Sequence, residues 1–251
     1  FALCFLLTFV AFVVSFVLLA LGREPERTLR SVTRDDEERI STRERAGWRR
    51  HEIWMVLRND RGLQRLLATN GIAGVATMAS GLFAVAALRQ GGLSVAQVGI
   101  ESTVLLTATT AGNFLWGAVG DHLGHRTVLV WGTGCATAAA LTALVAHGFW
   151  MYALVFLLLG LNLSSWNLAS FTFIAEFGPV VRRPTYIALA SVAYAPFAIG
   201  APALGGLLAD GWGYTPVFVI AAVAGAVAAI VYAVWVPDPR SRASNGVTVT
   251  P

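Results

Sequence analysis

The sequence predicts an all-α integral membrane protein with seven transmembrane helices, and three observations carry that prediction. Of 251 residues, 56% are hydrophobic and only 13% charged, a charged share well below that of soluble domains. The apolar residues fall into seven runs, each of about 20 residues, the length a helix needs to cross a hydrocarbon core of about 30 Å. The chain has 18 arginines and no lysine, and nearly all the arginines fall between alternate pairs of runs.

Phe1 to Leu21 is apolar apart from Thr8 and Ser15 and forms the first span. It opens with neither a Met nor a basic lead-in, which reads as a fragment cut at or within a span rather than a signal peptide. Residues 22–65 invert the character, with twelve arginines and nine acids, and form a solvated linker. Within it, Trp48 to Leu57 has the Trp and Arg content of an amphipathic helix at the headgroup boundary.

Leu66 to Leu88 is the second span, with Gly71, Gly74, Thr77, Ser80 and Gly81 as small residues that let helices approach closely. Arg89 to Ser94 is a turn. Val95 to Val119, Thr127 to Ala146 and Trp150 to Ile174 are the third, fourth and fifth spans. Phe177 to Pro184 is a polar, helix-breaking connection. Tyr186 to Ala209 is the sixth span, interrupted by Pro196, Gly200, Pro202 and Gly205-Gly206, and Val217 to Val236 is the seventh. Residues 66–236 thus make one six-helix domain, and residues 237–251 a polar tail. Cys4 and Cys135 both lie in apolar runs, as inert thiols do.

Cytoplasmic loops carry the arginine excess of a membrane protein. With sides alternating span by span, the linker, the loop at Asp121, the Arg182-Arg183 loop and the tail share one side and hold 17 of the 18 arginines. That side is expected to be cytoplasmic, including the C-terminus, in a plasma (inner) membrane. A basic balance so placed orients the chain in a bilayer; it is not a nucleic-acid footprint.

Between the third and fourth spans runs Gly117-Ala-Val-Gly-Asp121-His-Leu-Gly124-His-Arg126, expected to be a tight loop in which Asp121 caps or salt-links a helix end. Its Gly-x-x-x-Asp-x-x-Gly frame returns at Gly206, Asp210 and Gly213, each 89 residues further on. The first copy falls on the arginine-rich side and the second on the other. Two three-helix units of opposite topology are what inverted transporter repeats look like.

The loop resembles the signature that follows the second and, more weakly, the eighth helix of the major facilitator superfamily of secondary transporters. Gly117, Asp121, Gly124 and Arg126 match, whereas His122 and His125 stand where that family prefers Arg or Lys. Gly112-Asn-Phe-Leu-Trp-Gly117 and Ala201-Pro-Ala-Leu-Gly-Gly-Leu-Leu-Ala-Asp210 are also similar to family members. The resemblance implies the sixth helix, central loop and C-terminal six-helix half of such a protein. It implies secondary active transport of a small solute by alternating access. The N-terminal half of the same transporter would be the partner that supplies the other wall of the path.

Polar residues at membrane depth are the candidate site. Asn162, Ser165 and Trp166 share one face of the fifth span by their i, i+3, i+4 spacing, with Asn167 beside them; Asn113 and Thr77 complete the candidate substrate cavity. An alternative role for the amides and Trp166 is interhelical packing. Glu101 is the one carboxylate well inside an apolar run, hence the candidate proton-coupling group. It precedes Asp121 by 20 residues, or about 30 Å of helix, which puts it at the outer boundary as an interfacial carboxylate. Pro196 makes the sixth span the candidate for movement.

Other function classes fit less well. A seven-span receptor matches the span count, but a retinal Schiff base needs a lysine. A membrane-embedded enzyme needs titratable groups gathered at one depth, and the sequence gathers none; Asp121, His122 and His125 read as a solvated loop rather than a metal cluster. No phosphate-binding loop is present. The expected partners are therefore a small-molecule solute and the lipid bilayer, with no cofactor, no metal and no nucleic acid.

Overall fold

The computed structural model describes residues 61–177 and 183–236. The expected first span, the linker up to residue 60, the loop at Arg182 and the tail lie outside those residues. The described chain is helical from end to end and contains no strand, as lipid demands of a single open chain, because a helix satisfies its own backbone. The elements are α1 (Arg61–Ala76), a 3-10 turn (Thr77–Ala79), α2 (Leu82–Arg89), α3 (Val95–Leu123), α4 (His125–Val145), α5 (Gly148–Phe177), α6 (Arg183–Trp212) and α7 (Tyr214–Val234).

Among the described residues, five segments are long and apolar enough to cross a membrane: Arg61–Arg89, His125–Val145, Gly148–Glu176, Tyr186–Trp212 and Tyr214–Val234. The expected third span is the exception. Helix α3 has the length, at 29 residues, but Gln97, Glu101, Asn113 and a series of serines and threonines dilute its apolar character. A membrane-length helix of that composition turns one side to something more polar than lipid.

The connection from α3 to α4 is shorter than the loop the sequence suggests. Nothing from Gly117 to Leu123 breaks the helix, so Asp121 and His122 sit in the last turn of α3, and Gly124 alone redirects the chain at φ 88° and ψ 153°. Gly213 does the same between α6 and α7 at φ 84° and ψ 179°. This backbone region is open essentially only to glycine. Each glycine N–H also closes the helix before it, Gly124 onto the Gly120 carbonyl at 3.1 Å and Gly213 onto Ala209 at 3.0 Å. The repeat legible in the sequence is therefore one helix junction used twice.

Packing follows the same repeat. Helix α5 packs on α3 and α4; α1 packs on α6 and α7; α4 and α7 pack on each other. Exchanging the first three-helix unit for the second maps this pattern onto itself, as expected for inverted repeats. One apolar core gathers Phe83, Tyr152, Phe156, Val217 and Phe218 around α2, α5 and α7. A second gathers Leu63, Leu66, Val128, Phe173 and Tyr232 toward the other end.

Two helices differ from their sequence reading. The second span is not one continuous α-helix: it tightens into the 3-10 turn at Thr77, where the Thr77 hydroxyl donates to the Gly74 carbonyl and the Ser80 hydroxyl to Thr77, each at 2.7 Å. Hydroxyls bonded back onto the preceding turn bend helices. The sixth span, conversely, is not interrupted. Pro196 and Pro202 lie inside the continuous helix α6, where each removes only the bond to the carbonyl four residues earlier, Val192 and Ala198.

Because both junction glycines occupy a region costing other residues about 1–3 kcal/mol, Gly124→Ala and Gly213→Ala should each lower the unfolding temperature in detergent by that equivalent. Gly134→Ala, inside α4 with open space around its Cβ position, is the control and should not. A parental melt for both junction variants would contradict the assigned turn.

Candidate functional site

Helix α5 runs parallel to α3, and glycine sets the distance between them. A Cβ on Gly160 of α5 would strike the Leu105 carbonyl and Ala108 of α3, and one on Gly112 of α3 would strike Ser164 of α5. The Trp116 indole donates across the same seam to the Leu161 carbonyl at 2.8 Å. On its other flank α5 meets α4 at Gly132, whose missing Cβ leaves room for the Ser165 hydroxyl. There the Asn162 amide donates to the Gly132 carbonyl at 2.9 Å, and Ser165 bonds back to Asn162 at 2.8 Å.

Asn162 and Ser165 thus meet α4, while Trp166, one turn on from Asn162, turns to α6. Its ring lies 4.9 Å from that of Tyr194, tilted by 38°. The Tyr194 phenol lies close to the Thr77 side chain, so the ring pair sits beside the 3-10 break between α1 and α2. Gly74 lies beneath Tyr194 and Phe197 with no space for a side chain, and Gly71 beneath the Phe197 ring. Behind this surface the fully buried Tyr232 of α7 donates to Asn70 Oδ1 of α1 at 2.5 Å. Trp166, Tyr194 and Thr77 are all half-buried, and Phe197 and Asn167 are exposed. The result is an accessible aromatic and hydroxyl surface at the middle of the bundle, backed by a dry hydrogen bond.

Of the expected cavity residues, then, Trp166 and Thr77 come together through Tyr194, whereas Asn162 and Ser165 join the α4 seam. Asn113 of α3 and Asn167 of α5 are exposed, at similar depth in the register that sets Gly112 against Ser164. Tyr194, Asn70 and Tyr232 did not stand out in the sequence; a tyrosine two residues before the buried-depth Pro196 was the available signal.

At the Gly124 end, Arg126 donates through Nε to the Tyr232 carbonyl at 2.9 Å and through Nη2 to the Ala233 carbonyl. A guanidinium on the last carbonyls of α7 satisfies acceptors the helix leaves open and opposes its negative dipole end. His125 Nδ1 lies 2.9 Å from Glu176 Oε1, tying the start of α4 to the end of α5. Gly120 leaves room for that imidazole. Asp121 and His122 are exposed and Gly117 half-buried. The residues of the motif thus fasten three helix ends together around one glycine.

Glu101 is not the interfacial carboxylate expected from its depth. It is 0% exposed, and neither carboxylate oxygen has a hydrogen-bond partner. Its position around the helix explains this: Glu101, Leu105, Ala108 and Gly112 follow at i, i+4, i+7 and i+11, the stripe of α3 that faces α5. The opposite side of α3 exposes Thr103, Thr107 and Thr110, which continue by the same spacing to Gly117 and Asp121.

The family model of the Major Facilitator Superfamily matches residues 65–250. The chain belongs to that superfamily. It is thereby an integral membrane protein of a transporter family, and its helices and helix junctions are those of a superfamily member. No curated protein matches the chain.

In this superfamily member the α4–α5 seam depends on a single amide. Replacing Asn162 by Ala takes the side-chain donor from the Gly132 carbonyl and should cost about 0.5–2 kcal/mol, the range for polar contacts between membrane helices. Thermal unfolding in detergent should show the loss, and solute affinity should hold. Weakened affinity with a parental melt would place Asn162 in the solute path instead.

Proposed function

We propose that the chain is the C-terminal half of a secondary transporter that moves a small solute by alternating access, with an N-terminal half completing the path. The observation that carries this reading is the exposed hydroxyl stripe Thr103, Thr107 and Thr110 on α3. Thr103 and Thr110 bond back to the Gly99 and Leu106 carbonyls of their own helix, and each hydroxyl keeps an acceptor site free for a second partner such as water or a solute. The surface formed by Trp166, Tyr194 and Thr77, with Asn113 and Asn167 exposed nearby in depth, supplies what solute recognition requires. Aromatic faces take apolar area, and a few hydroxyls and amides fix orientation.

The discontinuity at Thr77 supports the same assignment. Non-helical backbone at membrane depth is tolerated where it is buried in protein or lines a cavity, and broken helices form the solute sites of many secondary transporters. Helix α6, short of two backbone hydrogen bonds at Pro196 and Pro202 and carrying Tyr194 and Phe197, is the mobile wall. The junction motif around Asp121 and Arg126 sets which conformation is favoured, since it joins the ends of α3, α4, α5 and α7. The arginine distribution supports a plasma-membrane orientation with the Gly124 junction and C-terminus cytoplasmic.

Transport and binding measured on the full-length protein test these roles together. Trp166→Ala removes stacking and apolar area worth about 1.4 kcal/mol or more, so affinity should fall about tenfold. Asp121→Asn should leave binding intact while slowing transport, by the 5- to 150-fold range typical of a coupling energy of about 1–3 kcal/mol. Parental transport by Asp121→Asn would reduce that residue to part of a turn.

Orientation is tested by impermeant thiol labelling of intact cells, with Cys4 and Cys135 removed. Cysteines at Gln90 and Asp210 should react from outside and one at His122 should not. Reaction at position 122 would invert the assigned topology.

A further inference from the structure

Two basic side chains hold the Gly124 junction, and they differ in kind. A guanidinium is effectively always charged, and that of Arg126 is engaged with the Tyr232 and Ala233 carbonyls at the end of α7. His125, the first residue of α4, meets a carboxylate instead: its Nδ1 lies 2.9 Å from Glu176 Oε1, with the two side chains 12% and 21% exposed. The Nε2 edge of the ring lies against Gly120 of α3, 3.4 Å from where a Cβ would stand. One imidazole thus touches the last turn of α3 and the last turn of α5 at once.

Among the described residues, each neighbouring element brings its own charged or titratable groups to this end. Helix α3 carries Asp121 and His122, both exposed in its last turn, while α6 begins at the exposed Arg183 and α1 at the exposed Arg61. Arg65 of α1 donates to the Trp235 carbonyl at 3.4 Å and lies over the Trp235 ring. The Tyr232 phenol of α7 is engaged with Asn70. Of these groups His125 is the imidazole held between helices, and imidazole is the side chain that ordinarily changes charge between about pH 5 and 8. The matching junction is closed by other means: Tyr214, 89 residues further on and just after Gly213, is buried and stacks on Phe218 with ring centroids 6.3 Å apart.

We propose that His125 makes the Gly124 junction a pH-sensitive latch, held when the imidazole is protonated and loosened as pH rises at that face of the membrane. The inference rests on the transport reading above and adds regulation of its junction motif. Opposite charges in contact add Coulomb attraction to the hydrogen bond between them, and a partly buried pair is screened by salt much less than an exposed one. A neutral imidazole can still donate from Nδ1, so loss of the proton weakens the contact rather than abolishing it. The proton moves from water onto a ring nitrogen and back to water, with no other bond made or broken. The closed junction, with Glu176 against the ring, binds that proton more tightly than the parted one. Closure is therefore favoured at low pH and lost as pH rises through the imidazole range.

Spin-label distances on the purified full-length protein, without solute, test this. Labels on Leu123→Cys and Thr172→Cys, both exposed positions, flank the latch on α3 and α5, with Cys4 and Cys135 replaced. This labelled parent should hold one short distance at about pH 5 and gain a longer one at about pH 8. The ratio of short to long should fall about tenfold, within the 5- to 150-fold span typical of one coupled site. His125→Arg, a permanent cation, should keep the short distance at both values. Glu176→Gln, which removes the charge from the other side, should show the longer distance at both, and it decides the matter if an arginine does not fit beside Gly120. His122→Arg, in solvent on the same motif, should respond as the parent does. No change with pH in the parent, an unaltered change in either His125→Arg or Glu176→Gln, or its loss in His122→Arg would overturn the proposal. Because no solute is present, a flat parental response removes the latch and leaves the transport reading standing. Failure of the unaltered protein to move solute would remove that reading without altering the distances.

Discussion

Helix α5 lies where it does because Gly112 of α3, Gly132 of α4 and Gly160 of α5 itself carry no Cβ. Apolar surface drives folding in water, but lipid tails are as apolar as leucine, so helices in a bilayer associate through close van der Waals contact and polar bonds. Glycine provides both here. It brings the Ser164 and Ser165 hydroxyls against neighbouring backbones, and it exposes the Gly132 carbonyl to the Asn162 amide at 2.9 Å. With α5 wedged between α3 and α4, the direction of every other side chain on it is settled. Trp166 turns to Tyr194 of α6, and the Tyr152 ring lies against Gly91.

Helix α1 meets its neighbours by the same connectivity as α5 but with a different chemistry. Where α5 meets its neighbours through serine on glycine, α1 meets α6 through the rings of Tyr194 and Phe197 on Gly71 and Gly74. Rings on glycine make a smooth contact with few directional bonds, and α1 is itself broken at that height. Helix α6 leaves Val192 71% and Ile199 76% exposed and lacks two of its own backbone bonds. One side of the bundle is thus fastened by short polar contacts, and the other packs through aromatic faces with few directional bonds.

Five of the expected spans were legible in the sequence because lipid imposes a length and a composition that few other environments impose. The doubled Gly/Asp frame was legible too, because its function is a backbone conformation, and only glycine adopts the angles found at Gly124 and Gly213. What the sequence concealed depends on rotation about helix axes. Glu101 was placed by depth alone and so assigned to the interface, whereas its stripe with Leu105, Ala108 and Gly112 points it into α5. Asn162 and Trp166 share a face by spacing, yet the amide reaches α4 and the indole α6, because a face wide enough to hold both touches two neighbours. Tyr194 and Tyr232 carry no motif. Their roles come from Thr77 and Asn70, which the fold brings to them from more than a hundred residues away in sequence.

The two ends of the bundle close by opposite means. At the Gly124 junction the contacts are ionic or strongly polar: the Arg126 guanidinium on the Tyr232 and Ala233 carbonyls, and His125 on Glu176. The His125 and Glu176 side chains are only 12% and 21% exposed, so water takes the place of these partners only when the helix ends part. At the Arg89–Ser94 end, closure instead dehydrates a carboxyl and a phenol and returns no hydrogen bond to either. Apolar packing of buried residues such as Leu93 and Phe156 must offset that penalty. A bundle built this way opens at the junction end by exchanging partners with water.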